Sequence, residues 1–342
     1  MIAAILDRMG KTLATRGNLN NHLGLPLTLS RLEPDHRFAV LEMGASRPGD
    51  IAFLADLGRP RIAVITNIGK AHLEGLGSQD GILKEKRALF DSLPADGVAV
   101  INQDDPLLAA SANSVACRKV FFGLTALADV RAESIVEEDD AVRFTLNIGG
   151  QRMDVKVPLP GQFQVMNALA AAAVAHAAGA SLKDIVQGLT SFHPVAMRME
   201  VVKHPSGALL INDAYNANPS SVRASVTSFC HGHGHRPRWL VLGDMRELGT
   251  GARQEHHALG QWLATQPLER IFLYGRDTRF VREGLQSKTK TARVDRYHKK
   301  RLLLAELERS LSEKPVILFK ASRGMKLEQI ITALMGGQAP QH

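Results

Sequence analysis

The segment RIAVITNIG (residues 61–69) decides the fold class of this 342-residue chain. Its apolar run IAVI, rich in β-branched residues, leads into the polar pair Thr66 and Asn67 and then a glycine, which is the pattern of a buried strand that ends in a loop. The segment GVAVIN (97–102) repeats this pattern after an intervening helical stretch. Strands that alternate with helices in this way predict a parallel α/β sheet.

The alternation continues on both sides of this segment. Buried strands are predicted at 38–46 and 119–123, and helices at 49–57 and 78–92. The pattern then changes to an antiparallel hairpin, VRFTLNIGGQRMDVKVPLPG, which turns near Asn147.

A second α/β block follows the hairpin. Its predicted strands lie at 208–213, 238–244, 270–275 and 315–320. Pro194 interrupts the pattern, and the charge balance changes sign close to it. Residues 1–197 carry 19 Lys and Arg against 21 Asp and Glu, which gives −2, whereas residues 198–342 carry 23 against 13, which gives +10. We therefore predict two α/β domains, 1–193 and 194–342.

Composition excludes several classes of protein. Hydrophobic residues make up 45% and charged residues 22%, as in globular chains. Cys117 and Cys230 form neither a disulfide framework nor a metal-ligand spacing. No apolar run reaches the ~18 residues of a membrane span, and the N-terminus lacks secretory features, so a cytoplasmic location is predicted. The basic second half favours an anionic ligand, while an aromatic content of 5% disfavours nucleic acid.

Polar residues that follow two predicted strands are the first site candidates. Glu42 closes FAVLE, and His72 lies in the glycine-rich stretch TNIGKAHLEGLGS (66–78). Ligands of open α/β sheets bind beyond the carboxyl ends of the strands. A carboxylate there suits a magnesium ligand or a water-positioning base. A helix cap or an ion pair would explain Glu42 equally well, and a structural role would explain His72.

Two other stretches also allow two interpretations. The helical segment GILKEKRALF (81–90) has three basic residues that either bind phosphate or form a solvated face: Lys84, Lys86 and Arg87. The strand end INDAYNANPSS (211–221) supplies hydrogen-bonding groups and an aromatic ring: Asp213, Tyr215, Asn216 and Asn218. Nucleotide binding and a capped turn both account for this second stretch.

Two apparent motifs do not support a site. The histidines lack paired cysteines, and the glycines of HGHGH disfavour a preorganised zinc site: His231, His233, His235, His256 and His257. The GKT at Gly10–Thr12 is not a phosphate-binding loop, because the pattern G-x-x-x-x-G-K-[ST] requires glycine where the chain has Ile5.

Taken in order, these loops resemble the Mur ligases of peptidoglycan synthesis. The resemblance extends from residue 1 to about 335 and is carried by TRGNLNNHLGLPLTL (15–29), VLEMGAS (40–46), TNIGKAHLEGLGS (66–78), VINQDDP (100–106), PLPGQFQVMNALAAA (158–172), NDAYNANPSSVRASV (212–226), VLGDMRELG (241–249) and KASRGMKLEQII (320–331). GNLNN and NDAYNANPSS favour the branch that acts on muropeptides over the related folylpolyglutamate synthetases.

The resemblance implies a fold and a reaction. The fold would be a central ATP-binding α/β domain, truncated at its start, followed by a Rossmann-like C-terminal α/β domain. The reaction would be the ATP-dependent ligation of D-alanyl-D-alanine to UDP-N-acetylmuramoyl-tripeptide through an acyl phosphate. It implies ATP and Mg²⁺ as cofactors, these two compounds as partners, no nucleic acid, and a monomer.

The family's motifs also imply roles for particular residues. The magnesium and catalytic residues would be Glu42, His72 and Lys86, the last as a carbamate. The nucleotide would contact Asn216, Asn218, Tyr215 and the linker residue Arg198. The UDP-peptide would face Asn18, Asn20 and Asn21. The incoming dipeptide and the closing domain would meet near Asp244, Lys320, Ser322 and Arg323.

Two departures from the family's pattern qualify this interpretation. In the motif G-x-x-N-x-x-N, Gln164 replaces the first Asn while Asn167 remains. The family's UDP-binding domain and GSxGKT phosphate loop precede the helix that MIAAILDRMG resembles, so we expect the chain to start after that loop. The alternative hypothesis is therefore a catalytically inactive ligase-derived fragment that binds nucleotide or muropeptide weakly.

Overall fold

The structure of the protein is a computed structural model. It describes residues 1–69, 73–193, 195–232, 234, 236–286 and 292–337. The chain divides into two compact units. The first comprises Met1–Pro158 and Gln162–His193, and the second comprises Leu159–Gly161 and Pro194–His342. No helix in the described ranges combines the length and the apolar character that crossing a bilayer requires.

The first unit contains a short two-stranded parallel sheet and a six-stranded sheet. Its strands are β1 (Thr12–Ala14), β2 (Phe38–Val40), β3 (Ile62–Ile65), β4 (Val98–Asn102), β5 (Arg118–Gly123), β6 (Val130–Glu137), β7 (Val142–Ile148) and β8 (Gln151–Val157). Strand β1 pairs with β2, and the larger sheet has the order β3-β4-β5-β6-β7-β8. Strands β3 to β6 are parallel, whereas β7 and β8 continue the sheet as an antiparallel hairpin.

Eight helices belong to the described part of this unit. They are α1 (Ile2–Leu6), α2 (Gly24–Leu29), α3 (Asp50–Gly58), α4 (Leu73–Leu76), α5 (Gln79–Asp91), α6 (Pro106–Ser111), α7 (Phe163–Ala177) and α8 (Leu182–Thr190). Helix α5 packs its apolar face on β3 and β4, where Ile65, Ile82, Phe90 and Ile101 form part of one buried cluster. This packing positions the loop that follows β3.

The second unit has a six-stranded sheet of its own. Its strands are β9 (Glu200–Lys203), β10 (Leu209–Asn212), β11 (Arg238–Gly243), β12 (Arg270–Tyr274), β13 (Arg293–Tyr297) and β14 (Val316–Lys320). Its described helices are α9 (Pro219–His231), α10 (Ala252–Leu263), α11 (Thr278–Gln286), α12 (Lys300–Ser310) and α13 (Glu328–Leu334). The order is β13-β12-β11-β14-β10-β9, and only β9, at one edge, is antiparallel to its neighbour.

The predicted α/β fold class is confirmed, and the hairpin turns at Gly149 and Gly150 as expected. The strand predicted at 38–46 is wrong in extent and burial. It is limited to Phe38–Val40, where Ala39 is exposed, because this strand pairs with β1 in the small sheet and lies outside the six-stranded one. Elements without a long apolar run escaped prediction: β1, β6, β9, β13, α2, α4, α6 and α13. Helix α4 lies within the stretch 66–78 that was predicted as a loop.

Candidate functional site

The loop that follows β10 in the second unit collects several of the predicted site residues. Asn218 caps helix α9: its Oδ1 accepts the amide of Ser221 at 2.9 Å, and the Ser221 hydroxyl accepts the amide of Asn218 at 3.1 Å. The interpretation of this stretch as a capped turn is therefore confirmed for Asn218. Asn216 is exposed and Tyr215 is half-buried, so both side chains remain accessible.

A buried ion pair lies beneath this loop. The Lys320 ammonium, at the end of β14, donates to Asp213 Oδ2 at 2.6 Å and to the Asn216 carbonyl at 3.0 Å. The Ser225 hydroxyl donates to the same Asp213 oxygen at 2.6 Å. Burial lowers the pKa of Lys320, and the Asp213 carboxylate opposes that shift. Lys320 therefore holds the loop from below, and its buried position does not support the direct substrate contact predicted for it.

Arg198 lies over the ring of Tyr215. The Arg198 Cζ atom is 4.1 Å from the ring centroid, which is a close cation–π contact. Arg198 is exposed, so its charge is available to an anion. Arg198 and Tyr215 were each predicted to contact the nucleotide, and the structure places them in contact with each other.

Asp244 and Ser322 join three loops at the carboxyl edge of the second sheet. The Asp244 carboxylate accepts the backbone amides of Arg276, Asp277 and Thr278, each at 2.9 Å. Gly275 makes this approach possible, because a Cβ atom there would lie 2.4 Å from the carboxylate. The Asp244 carboxylate therefore caps the start of helix α11. These contacts favour a positioning role over the predicted contact with the dipeptide.

Ser322 is also buried and engaged with backbone. Its hydroxyl accepts the amide of Arg246 at 2.8 Å and donates to the carbonyl of Ala217 at 3.3 Å. Arg323 differs because it is exposed, and it pairs with Glu328 at 3.0 Å. Among the four residues predicted near the incoming dipeptide, Arg323 is the exposed one.

In the first unit, Glu42 follows β2 and is exposed. Its Oε1 accepts the Asn20 side-chain amide at 2.8 Å, and its backbone amide donates to the Thr15 hydroxyl at 2.9 Å. The structure therefore joins a predicted metal ligand, Glu42, to a residue predicted to face the UDP-peptide. An exposed carboxylate at a strand end fits a hard cation such as Mg²⁺.

The other two asparagines of the GNLNN stretch differ from Asn20. Asn18 is exposed. The Asn21 side-chain oxygen accepts the amides of Leu23 and Gly24 at 3.1 and 2.9 Å, which begins helix α2. Asn21 therefore has a local structural role, whatever else it contacts.

Lys86 extends from helix α5 to the loop after β3. Its ammonium donates to the Asn67 carbonyl at 2.9 Å. Burial lowers the pKa of Lys86, and the negative charge of Asp105 partly opposes the shift. The same Asp105 accepts the amide of Ile68 at 2.7 Å and so holds this loop. His72 lies outside the described residues, as do His233 and His235 of the HGHGH stretch.

Some residues that organise these loops escaped prediction. Glu85 is buried, and its two oxygens accept the amides of Gly49 and Ile51 at 2.7 Å each, which begins helix α3. Glu85 lies between two lysines in the sequence, and this pattern does not predict a buried carboxylate that caps another helix. Asp105, in contrast, precedes Pro106 at a helix start, and that capping signal was available. The replaced motif residue Gln164 accepts the Asn167 side-chain amide at 2.9 Å.

Comparison with known families gives two matches along the chain. The model described as "Mur ligase middle domain" matches residues 1–175, and the one described as "Mur ligase, glutamate ligase domain" matches residues 197–323. Together they cover most of both compact units.

Individual relatives agree with these matches. The UDP-N-acetylmuramoyl-tripeptide--D-alanyl-D-alanine ligase of Bacillus subtilis is 37% identical over 98% of this chain and 72% of its own length. The Escherichia coli enzyme of the same name is 36% identical over 98% of this chain and 73% of its own. Among solved structures, MurF from Acinetobacter baumannii matches with a TM-score of 0.90 at 34% identity, covering 98% of this chain and 73% of that one. MurF ligase from Thermotoga maritima, solved in complex with ADP, matches at 0.87 and 25% identity, covering 98% and 75%.

Proposed function

The chain belongs to the Mur ligase family, and from that premise we propose that it carries out the ATP-dependent joining of D-alanyl-D-alanine to UDP-N-acetylmuramoyl-tripeptide. The observation that carries the proposal is the 37% identity to a ligase of this name over 98% of the chain. In this reaction ATP converts the tripeptide's terminal carboxylate to an acyl phosphate, and the dipeptide amine then displaces phosphate.

We propose that the chain has two domains, 1–193 and 194–342, and that each supplies a different part of the reaction site. In the second, Arg198 and Asn216 are exposed beside a loop that a buried ion pair supports, which suits contacts with an anionic nucleotide. Tyr215 and Asn218 complete this proposed set. Arg323 supplies an exposed cation for the dipeptide's carboxylate.

In the first domain, Glu42 and Lys86 are the proposed metal-site residues, with His72 as the third. The lowered pKa of Lys86 supports its proposed carbamate form, because only a neutral amine adds CO₂. When bound there, Mg²⁺ would neutralise phosphate charge during transfer. Asn20, through its hydrogen bond to Glu42, would orient that carboxylate, and Asn18 and Asn21 would face the UDP-peptide.

The cofactors, the oligomeric state and the location complete the proposal. We propose that the chain uses ATP with Mg²⁺, acts as a monomer, and works in the cytoplasm, where ATP is supplied.

The direct test is ADP release by the purified 342-residue chain in the presence of ATP, Mg²⁺ and both substrates. Release that requires both the UDP-tripeptide and D-alanyl-D-alanine is the expected result. Mixtures that lack one substrate are the matched controls, and circular dichroism establishes that the chain is folded. A folded chain that binds nucleotide but forms no ADP from ATP would contradict ligase activity in this chain. That result would favour the alternative of a nucleotide-binding fragment.

A further inference from the structure

The contact between Arg198 and Tyr215 is supported on both sides by backbone contacts within the second unit. The Tyr215 amide donates to the carbonyl of Met197 at 3.3 Å, and the Met197 amide donates to Glu200 Oε2 at 3.0 Å. Asn212, at the end of β10, donates to the same Glu200 oxygen at 3.1 Å. The short turn that carries Arg198 is therefore tied to the strand that leads into the Tyr215 loop.

The backbone of this turn is also unusual. Met197 and Met199, which flank Arg198, have φ values of +61° and +54°. Residues other than glycine rarely adopt this left-handed region, and they remain there only where surrounding contacts impose it. Met199 is 2% exposed, so its side chain anchors the turn in the core. These contacts direct Arg198 onto the ring.

The loop that carries Tyr215, the other partner of this contact, is also held by hydrogen bonds. The Lys320 ammonium donates to the carbonyl of Asn216 and to Asp213 Oδ2, on either side of Tyr215 in the chain. Both the cation and the ring are thus attached to backbone that hydrogen bonds within the protein hold in place.

We infer that Tyr215 is a positioning residue that acts through Arg198, and that it does not serve as a stacking surface for the nucleotide base. The inference rests on the proposed use of ATP. A guanidinium that stacks on a ring uses its face, so the N–H donors in its plane remain free for phosphate oxygens. The ring face covered at 4.1 Å by Arg198 is correspondingly closed to an adenine. Tyr215 would therefore affect recognition of the phosphates and leave recognition of the base unchanged.

Calorimetric titration of the full chain with MgATP and, separately, with adenosine tests this inference, because adenosine has the base without the phosphates. Tyr215→Leu should weaken MgATP binding by about two- to fivefold, the range of an exposed cation–π contact, and leave adenosine binding unchanged. Tyr215→Phe retains the ring and should restore MgATP binding. In an Arg198→Met background, Tyr215→Leu should have no further effect on MgATP.

Phe280 offers a matched control, since Arg279 lies 4.5 Å over its ring elsewhere in the same unit. Phe280→Leu should change neither titration. Unfolding midpoints of all variants separate a loss of fold from a loss of contact.

The inference would be overturned by an equal loss of adenosine and MgATP binding in Tyr215→Leu, or by an undiminished effect of Tyr215→Leu in the Arg198→Met background. A wild-type chain that binds neither ligand would overturn it as well. Because the titrations require no turnover, a chain that shows the expected binding pattern but no ADP release would contradict only the proposed ligase activity.

Discussion

The two units hold their candidate residues in different ways. In the second, Asp213 and Lys320 are 6% and 3% exposed and form an ion pair below the loop that carries Tyr215 and Asn216. In the first, the exposed Glu42 accepts a side-chain hydrogen bond from Asn20. A buried pair requires well-placed partners because both charges lose their hydration, whereas an exposed hydrogen bond contributes little and imposes little order. The comparison contrasts a loop of the second unit that buried charges support, the proposed nucleotide loop, with a proposed metal ligand of the first unit whose side chain is held only by an exposed hydrogen bond among the described residues.

The largest effect is expected when the buried pair is broken. Lys320→Met leaves the Asp213 carboxylate buried and unpaired, which should lower the free energy of unfolding of the second unit by about 3–5 kcal/mol. Both tryptophans, Trp239 and Trp262, lie in this unit, so their fluorescence in urea reports on it alone.

The double variant Lys320→Met with Asp213→Leu should recover most of that loss, since it removes both charges. As a control, the exposed pair of Arg61 and Asp96 in the first unit should contribute less than about 1 kcal/mol. Arg61→Met tests this by urea unfolding followed by circular dichroism, because both tryptophans lie in the second unit. A loss at Lys320 no greater than the loss at Arg61 would remove the proposed contrast between the units.

An intermediate effect is expected at Glu85, which is the buried carboxylate of the first unit. Glu85→Ala leaves the amides of Gly49 and Ile51 without their acceptor and should cost about 2–3 kcal/mol. Hydrogen exchange of the amides of helix α3 measures this loss locally. Lys84→Ala, on the exposed face of helix α5, which also carries Glu85, should leave the α3 amides protected. Equal exchange in the two variants would show that Glu85 does not anchor α3.

A smaller effect is expected at Asn218, which caps helix α9 next to the proposed nucleotide loop. Asn218→Ala removes the acceptor for the Ser221 amide and should cost about 1 kcal/mol. Tryptophan fluorescence in urea again reports the change. Asn218→Asp retains a capping oxygen and should restore stability; if it does not, the contribution of Asn218 is something other than the cap.

The smallest effect on stability, less than about 1 kcal/mol, is expected at Lys86, and it should depend on pH. Burial lowers the pKa of Lys86 in the folded chain, so between that lowered pKa and the ordinary 10.5 the unfolded chain binds more protons. The stability of the wild type relative to Lys86→Met should therefore rise as the pH increases from 8 to 10. Urea unfolding at the two pH values, followed by circular dichroism, measures the difference, and a constant or falling difference would contradict burial of the amine.

Local features account for what could be predicted from the sequence. The segment 61–69 was correctly predicted as a strand followed by a polar loop, and INDAYNANPSS as a strand end followed by a helix start, because apolar periodicity and capping act over a few residues. The burial of the strand in 61–69 was overestimated, since β3 ends the sheet and Ile62 and Val64 are half-buried. Strand β1 and strand β13 were missed since neither has a long apolar run.

Tertiary contacts determined the rest. Asp213 and Lys320 are 107 residues apart in sequence, and their pairing follows from β10 and β14 lying side by side. No local pattern marks that register, so Lys320 was predicted to contact substrate when it lies buried beneath a loop. For the same reason, Asp244 was predicted to lie near the dipeptide. In the structure its carboxylate instead accepts hydrogen bonds from three backbone amides of another loop.

The sequence by itself determined the α/β class, the order of the loops, and the residues that follow each strand. These depend on short-range periodicity and on turn residues, which neighbouring positions settle. Only the tertiary structure decided which of those polar side chains remain exposed, as Arg198 and Glu42 do, and which are buried and hold neighbouring loops, as Lys320 and Asp244 are. That division depends on which strand ends meet at one edge of a sheet, and it arises only when distant segments pack together.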